Sequence, residues 1–225
     1  MTPDYQNFDQ GLGKYDGPIR RKDFYPEYLA KIESFGIKSV TELGMGSGDF
    51  LWHLPNSVRG IGIDKSIDLV EVAEKTRAKS NLEFHCAEIG KNDTFAKTEL
   101  VVMTGFLCTF LDYRVPLEAA LDISTKHIFI NDFLNDFGVD ARFSFRERGQ
   151  QDFQTPYNIW SRETIEGYLS SLGLSWQIVP YAVTSPLLET SNPLFNYRAK
   201  LNSEEVLTNR GGILLKGYNL FIRKD

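Results

Sequence analysis

Apolar residues return at helical spacing over residues 23–35 (Phe24, Tyr28, Leu29, Ile32, Phe35), and Gly36 supplies a stop, so a helix is expected there. The period then changes. Ser39–Leu43 reads as a short strand that breaks into Gly44-Met45-Gly46-Ser47-Gly48, followed by a short helix over 49–54 that Pro55 ends. Further strands are expected at 60–64, 82–86, 100–104 and 127–131, with helices between them at 67–78 and 116–123. Glu71 and Lys75 stand one helical turn apart in the first of these. Ser161 reads as an N-cap with Glu163 in the first turn, opening a helix to Leu172 that Gly173 closes. Two last strands are expected at 176–183 and 213–223. Residues 133–158 and about 184–210 show no period and read as long inserts, the usual place for lids and binding loops.

Strands that alternate with helices, and that are short and almost continuously apolar, predict a mainly parallel α/β sheet covered by helices on both faces. A chain of 225 residues with 42% hydrophobic content suits one such domain with decorations. The division expected is an arm and helix over residues 1–36 that cover the site. The main domain then runs over 37–225, with acceptor-pocket inserts at about 133–160 and 184–210.

A net charge of −5 argues against nucleic acid as the main partner, since a phosphate backbone needs a basic surface. The one basic run, Ile19-Arg20-Arg21-Lys22, reads as a solvated turn. Cys86 and Cys108 lie in apolar stretches and read as small buried hydrophobes. They and His53, His85 and His127 show no metal-ligand spacing, so no metal is expected. No apolar run spans a bilayer, and residues 1–18 do not read as a signal peptide. A cytoplasmic protein without a membrane partner is expected, and a homodimer is left open.

The chemistry concentrates at Val40-Thr41-Glu42-Leu43-Gly44-Met45-Gly46-Ser47-Gly48, where a strand ends, a glycine turn follows and a helix opens. Such glycines bend the chain, let the backbone approach a ligand and allow close helix–strand packing. A dinucleotide fingerprint wants its third glycine one place later, where Asp49 stands, and faces a pyrophosphate. Glu42, by contrast, suits a ligand with a positive amino group, such as S-adenosylmethionine. Asp64 ends the second strand 20 residues after Gly44, where a carboxylate can accept both ribose hydroxyl protons. It could equally cap the following helix.

From about Val40 to Asp132, and more loosely through the closing strands, the chain resembles the class I S-adenosylmethionine-dependent methyltransferases. Glu42 to Gly48 is similar to that family's glycine-rich first motif, and Asp64 to its acidic residue after the second strand. Leu82-Glu83-Phe84-His85-Cys86-Ala87-Glu88 is similar to the third motif, with Ala87-Glu88 where a small residue and Asp usually stand. Leu100 to Leu107 resembles the fourth strand and the turn beside the transferring methyl, and Gly217 to Lys224 the antiparallel last strand. The resemblance implies a Rossmann-like seven-stranded sheet, mainly parallel with an antiparallel last strand, and S-adenosyl-L-methionine as cofactor. Its implied contacts are Glu42, Gly44, Met45, Gly46, Gly48, Asp64, Lys65, Ala87, Glu88, Thr104 and Gly105.

Branches of that family that methylate DNA adenine or protein glutamine carry Asn/Asp-Pro-Pro-Tyr after the fourth strand, where Thr104-Gly105-Phe106-Leu107 stands here. Ser191-Asn192-Pro193-Leu194-Phe195 lies in the late insert and reads as a turn. Neither cysteine follows a proline, as the nucleophile of cytosine methyltransferases does. Asn131-Asp132 and Asn135-Asp136 mimic a Mg²⁺ site loosely and read better as loop caps. Methyl transfer to a small-molecule acceptor, a secondary metabolite or sugar/glycan precursor, is the function expected. Oxygen and nitrogen both stay open as the atom methylated. Asp132, at a strand's carboxyl end, is the expected catalytic residue. Thr109, Asn131 and Tyr157 are expected at the acceptor, with Cys108 and Trp160 nearby. Tyr5, Phe8 and Tyr15 give the arm apolar area to close over the cofactor. The alternatives are a non-catalytic S-adenosylmethionine-binding module, an NAD-linked Rossmann oxidoreductase, and aminopropyl transfer from the decarboxylated cofactor.

Overall fold

The structure is a computed structural model that describes residues 17–90, 95–143, 157–181, 197–201, 204–208 and 214–224. Its elements in chain order begin with α1 (Tyr25–Ser34), β1 (Ser39–Leu43), α2 (Asp49–Trp52), β2 (Arg59–Asp64), α3 (Ile67–Thr76) and β3 (Leu82–Cys86). Next come β4 (Thr98–Thr104), a 3-10 turn at Leu107–Thr109, α4 (Arg114–Ile123), β5 (Ser124–Leu134), β6 (Ala141–Phe143) and β7 (Tyr157–Ile159). The last are α5 (Arg162–Ser171), β8 (Ser175–Tyr181), β9 (Tyr197–Leu201), β10 (Glu204–Thr208) and β11 (Leu214–Arg223).

Seven strands form the main sheet in the order β3-β2-β1-β4-β5-β11, with β8 paired to the far side of β11. Strands β3 to β5 are parallel, and β11 runs antiparallel to both β5 and β8. The order therefore reverses between β1 and β4, where crossovers leave in opposite directions and open a crevice at the strands' carboxyl ends. Each strand's pleat sorts its side chains. Val40, Val102 and Phe129 pack with Tyr28, Ile32 and Phe50 on one face, and Leu43, Met103 and Ile130 with Leu117, Ile165 and Leu169 on the other. By the same alternation Glu42 and Thr104 fall on the α1 face, at the lip of the crevice.

Several expectations change. The insert at about 184–210 contributes the hairpin β9–β10, which joins the sheet where β10 pairs with the start of β11, so it is not wholly irregular. The insert at 133–158 contains β6 and β7, paired antiparallel, and β5 itself runs on to Leu134. β3 is the sheet's edge, and its His85 and Cys86 are exposed. Cys86 is thus no core residue, because an edge strand lacks the second neighbour that would bury it. Cys108 is buried, as expected. Among the described residues no helix is long and apolar enough to cross a membrane.

Candidate functional site

The turn after β1 places Gly44, Gly46 and Gly48 at φ of 68°, 57° and 77°, a region that side chains with a Cβ avoid. A Cβ on Gly44 would also stand 2.1 Å from the Phe106 ring. Asp64 ties the turn to β2: its Oδ2 accepts from the Gly46 N–H at 2.9 Å and its Oδ1 from the Ser66 N–H at 3.0 Å. The cap of α3 is Ser66, whose hydroxyl accepts from the Leu69 N–H, so Asp64 is not spent on that role. The Lys65 N–H is a further donor to this carboxylate, and acceptor capacity remains for a ligand hydroxyl. The Met45 side chain turns down into the core against Gly62, leaving only the Met45 backbone on the turn.

Glu42 sits beneath this turn and is buried. Its Oε1 accepts from the Thr104 hydroxyl at 3.4 Å, while its Oε2 finds no hydrogen-bond partner among the described residues. Burial pushes its pKa up to about 8, with Asp49 and Asp64 adding to the rise and Lys22 and the Thr104 hydroxyl opposing it. A buried carboxylate oxygen with no donor is costly unless a ligand brings one.

Asp49 stands where a dinucleotide motif would have its third glycine. It is the first residue of α2 and holds two arginines: Arg77 Nε and Arg20 Nε donate to its two oxygens, each at 3.0 Å. Arg77 also donates to the Gly17 carbonyl at 3.1 Å, and the His53 ring bonds the Arg20 carbonyl at 3.1 Å. Residues 17–22 are thereby strapped across α2 and the end of α3. Lys22, at the strap's end, is accessible yet loses ammonium hydration: burial lowers its pKa, while Glu42, Asp49 and Asp132 raise it and Arg20 lowers it. The basic run is exposed at Arg21 and Lys22, as a solvated turn would be, while its first arginine also binds Asp49.

At the end of β5, Asp132 is buried. Its Oδ1 accepts from the Phe133 N–H at 2.8 Å, and Oδ2 finds no partner among the described residues. Burial raises its pKa to about 7 against the pull of the Phe133, Cys108 and Leu107 N–H groups and of Lys22. Asn131 lies on the opposite face of the strand. Its amide donates to Asn219 Oδ1 at 2.8 Å and its carbonyl accepts from Tyr181 Oη at 3.3 Å, while Asn219 donates to Glu27 at 2.7 Å. Asn131 thus belongs to a buried polar relay between α1 and β8. Thr109 donates to the Phe106 carbonyl at 2.8 Å, and Cys108 Sγ faces the Gly105 carbonyl at 3.2 Å. Trp160 is a core residue whose indole N–H bonds the Leu107 carbonyl at 3.0 Å. The Tyr157 side chain, Ser191–Phe195 as a segment, and Tyr5, Phe8 and Tyr15 lie outside the described residues. Gly105 bonds the Asn131 carbonyl and Ala87 the Asp64 carbonyl through their N–H groups; Ala87 and Glu88 are half-buried beyond β3, and Lys65 follows Asp64 directly. Asn135 caps its own turn through the Phe137 N–H, and no acidic, His or Cys group among the described residues could hold a metal.

Glu42, the glycines, Asp64 and Thr104 come together at one crevice. Lys22, Asp49, Arg77 and Tyr181 were not singled out as site or strap residues by sequence. The available signals were a basic run in an acidic chain, and an acid where a glycine would serve another ligand.

No family model matches the chain, and no curated relative does. Solved structures match at the level of fold. The N-terminal domain of EvdMO1, determined in the presence of SAH (S-adenosylhomocysteine) and D-fucose, superposes with a TM-score of 0.61 at 14% identity, covering 99% of this chain and 98% of that one. A S-adenosylmethionine-dependent methyltransferase from Clostridium acetobutylicum gives 0.59 at 11%, covering 96% of each chain. The magnesium protoporphyrin IX methyltransferase of Synechocystis with bound SAH gives 0.58 at 11%, covering 98% and 96%. The chain has the Rossmann-like fold of the class I S-adenosylmethionine-dependent methyltransferases, extended by the β9–β10 hairpin.

Proposed function

We propose that this chain binds S-adenosylmethionine and transfers its methyl group to an oxygen or nitrogen of a small-molecule acceptor. The observation that carries this reading is Glu42: a buried carboxylate with an unpartnered oxygen, under three left-handed glycines and next to Asp64. That set offers a carboxylate to a ligand's ammonium and another to ribose hydroxyls, with bare backbone between them. The neighbours of the same fold, several with SAH or S-adenosylmethionine in their crystals, support the same cofactor. Asp49 weighs against NAD, because it stands where a dinucleotide motif has its third glycine.

When bound, the cofactor supplies a methyl group already activated by its sulfonium. What the chain must add is alignment and the exclusion of water, which supply about 7–11 kcal/mol in favourable cases. Glu42 would receive the ligand's ammonium, and Asp64 its ribose hydroxyls. Asp132, with a pKa of about 7, is poised to take the proton that a hydroxyl or amine loses as it is methylated. The acid balance of the chain favours a small acceptor over nucleic acid, and a neighbour determined with D-fucose makes sugars the first acceptors to try.

The reading is tested by titrating SAH at pH 6 and pH 8.5. Glu42 must lose its proton to meet a ligand ammonium, and its raised pKa means that the free protein still holds that proton at pH 6. Affinity is therefore expected to rise about ten-fold or more between the two pH values. Glu42→Gln should bind more weakly and lose most of the pH dependence. SAH that binds the parent equally at both pH values, or Glu42→Gln unchanged from it, would contradict the reading.

A further inference from the structure

The turn that follows β4 lies between the end of β5 and the short strand β7, and two side chains of β7 and its end hold it by its carbonyls. Asn158 is buried, and its amide donates to the Cys108 carbonyl at 3.2 Å and to the Phe110 carbonyl at 2.6 Å. Its own oxygen accepts from Arg142 Nε on β6 at 2.9 Å, which fixes the amide's orientation. The Trp160 indole N–H holds the Leu107 carbonyl at 3.0 Å. On the other side, the Gly105 N–H donates to the Asn131 carbonyl at 2.8 Å, tying the start of the turn to β5 one residue before Asp132. Leu107 and Trp160 share the core face of Ile130, and strand alternation puts Asp132 on that face too. A trans peptide points its N–H away from its C=O. With the Leu107 carbonyl on Trp160, the Cys108 N–H of the same peptide points the opposite way, toward the end of β5. There the Asp132 carboxylate receives the N–H groups of Leu107 and Cys108.

We propose that Asn158 and Trp160 are positioning residues for Asp132: by holding the carbonyls of the 107–110 turn they keep its N–H groups on the carboxylate and leave Oδ2 open for a proton. This rests on the reading of Asp132 as the base for the acceptor and deepens it. A buried carboxylate stays ionised only where donors are aimed at it, because a hydrogen bond to the charged form favours that form. The other groups that face Asp132 are the Lys22 ammonium of the strap, the Tyr28 hydroxyl of α1 and the Tyr181 hydroxyl of β8. The Cys108 thiol of the turn itself is directed to the Gly105 carbonyl. A change at 158 or 160 removes none of these, so a shift at Asp132 reports on the turn.

The titration of Asp132 itself tests this without any acceptor: carbon NMR follows its side-chain carboxyl, assigned as the signal lost in Asp132→Asn. The parent is expected to titrate near pH 7. Trp160→Phe keeps an aromatic ring and loses the donor, and Asn158→Ala loses both amide donors. Each should titrate about one pH unit or more higher, because the carboxylate loses its N–H groups while staying buried. Circular dichroism shows that each variant is folded, and the more conservative Trp160→Phe decides the matter if Asn158→Ala does not fold. An unmoved midpoint in a folded variant overturns the role of the residue changed. A parent Asp132 that titrates near 4, the ordinary carboxylate range, overturns the reading of Asp132 as a base and this inference with it.

Discussion

Asp49→Ala is expected to melt about 6–20 °C below the parent chain. The reason is Arg77, whose side chain is 2% exposed and whose guanidinium faces Asp49 Oδ1 at 2.9 Å. Removing one partner of a buried pair costs about 3–5 kcal/mol, because the other charge loses that counter-charge in a desolvated place. At about 2–4 °C per kcal/mol for a chain of this size, the shift follows. Arg20 contributes less, because its side chain is 41% exposed and water screens its bond to Asp49. The double change Asp49→Ala with Arg77→Met should recover part of the loss by removing the stranded charge. The strap gives a second readout: freed of Asp49, the Arg20-Arg21-Lys22 run should be cut faster by trypsin. A melting temperature within about 2 °C of the parent would show that Asp49 is not the anchor.

Asp132→Asn is expected to cut methyl transfer about 100-fold or more while leaving SAH affinity within about two-fold. Asn keeps the volume and can still accept from the Phe133 N–H through one oxygen, so the end of β5 stays in place. What it loses is the capacity to take a proton. The parent's turnover should rise as pH increases through about 7, because Asp132 works only as the carboxylate, and the variant should lose that limb. Turnover within about three-fold of the parent would remove Asp132 from the chemistry and leave it as the acceptor for N–H groups of the 107–109 turn.

Legibility in the sequence followed how local each cause is. The alternation of β1 to β5 with helices, the glycine turn and Asp64 are written in adjacent residues, and each stands where the pattern puts it. The antiparallel β11 was also readable, since its apolar run closes the chain in the same way as its resemblance implies. What escaped depends on contacts far apart in sequence. Arg77 lies 28 residues from Asp49, and Tyr181 lies 50 from Asn131. No period in a single chain announces such pairs. The exposure of Cys86 escaped for a related reason: an edge strand and an inner one share the same apolar letters, and only sheet order tells them apart. The hairpin β9–β10 escaped although Tyr197-Arg198-Ala199-Lys200-Leu201 alternates apolar and charged residues and Asn202-Ser203 follows it as a turn pair, the pattern of a half-buried hairpin strand.

The proposed nucleoside site at the glycine turn and Asp64 is tested by calorimetric titration of the parent and Asp64→Ala with S-adenosylmethionine, SAH and NAD. Micromolar binding of the first two to the parent is expected, with their loss in Asp64→Ala with the fold intact, and no binding of NAD to either. Binding of NAD in place of S-adenosylmethionine, or tight SAH binding that survives the loss of the Asp64 carboxylate, would contradict it.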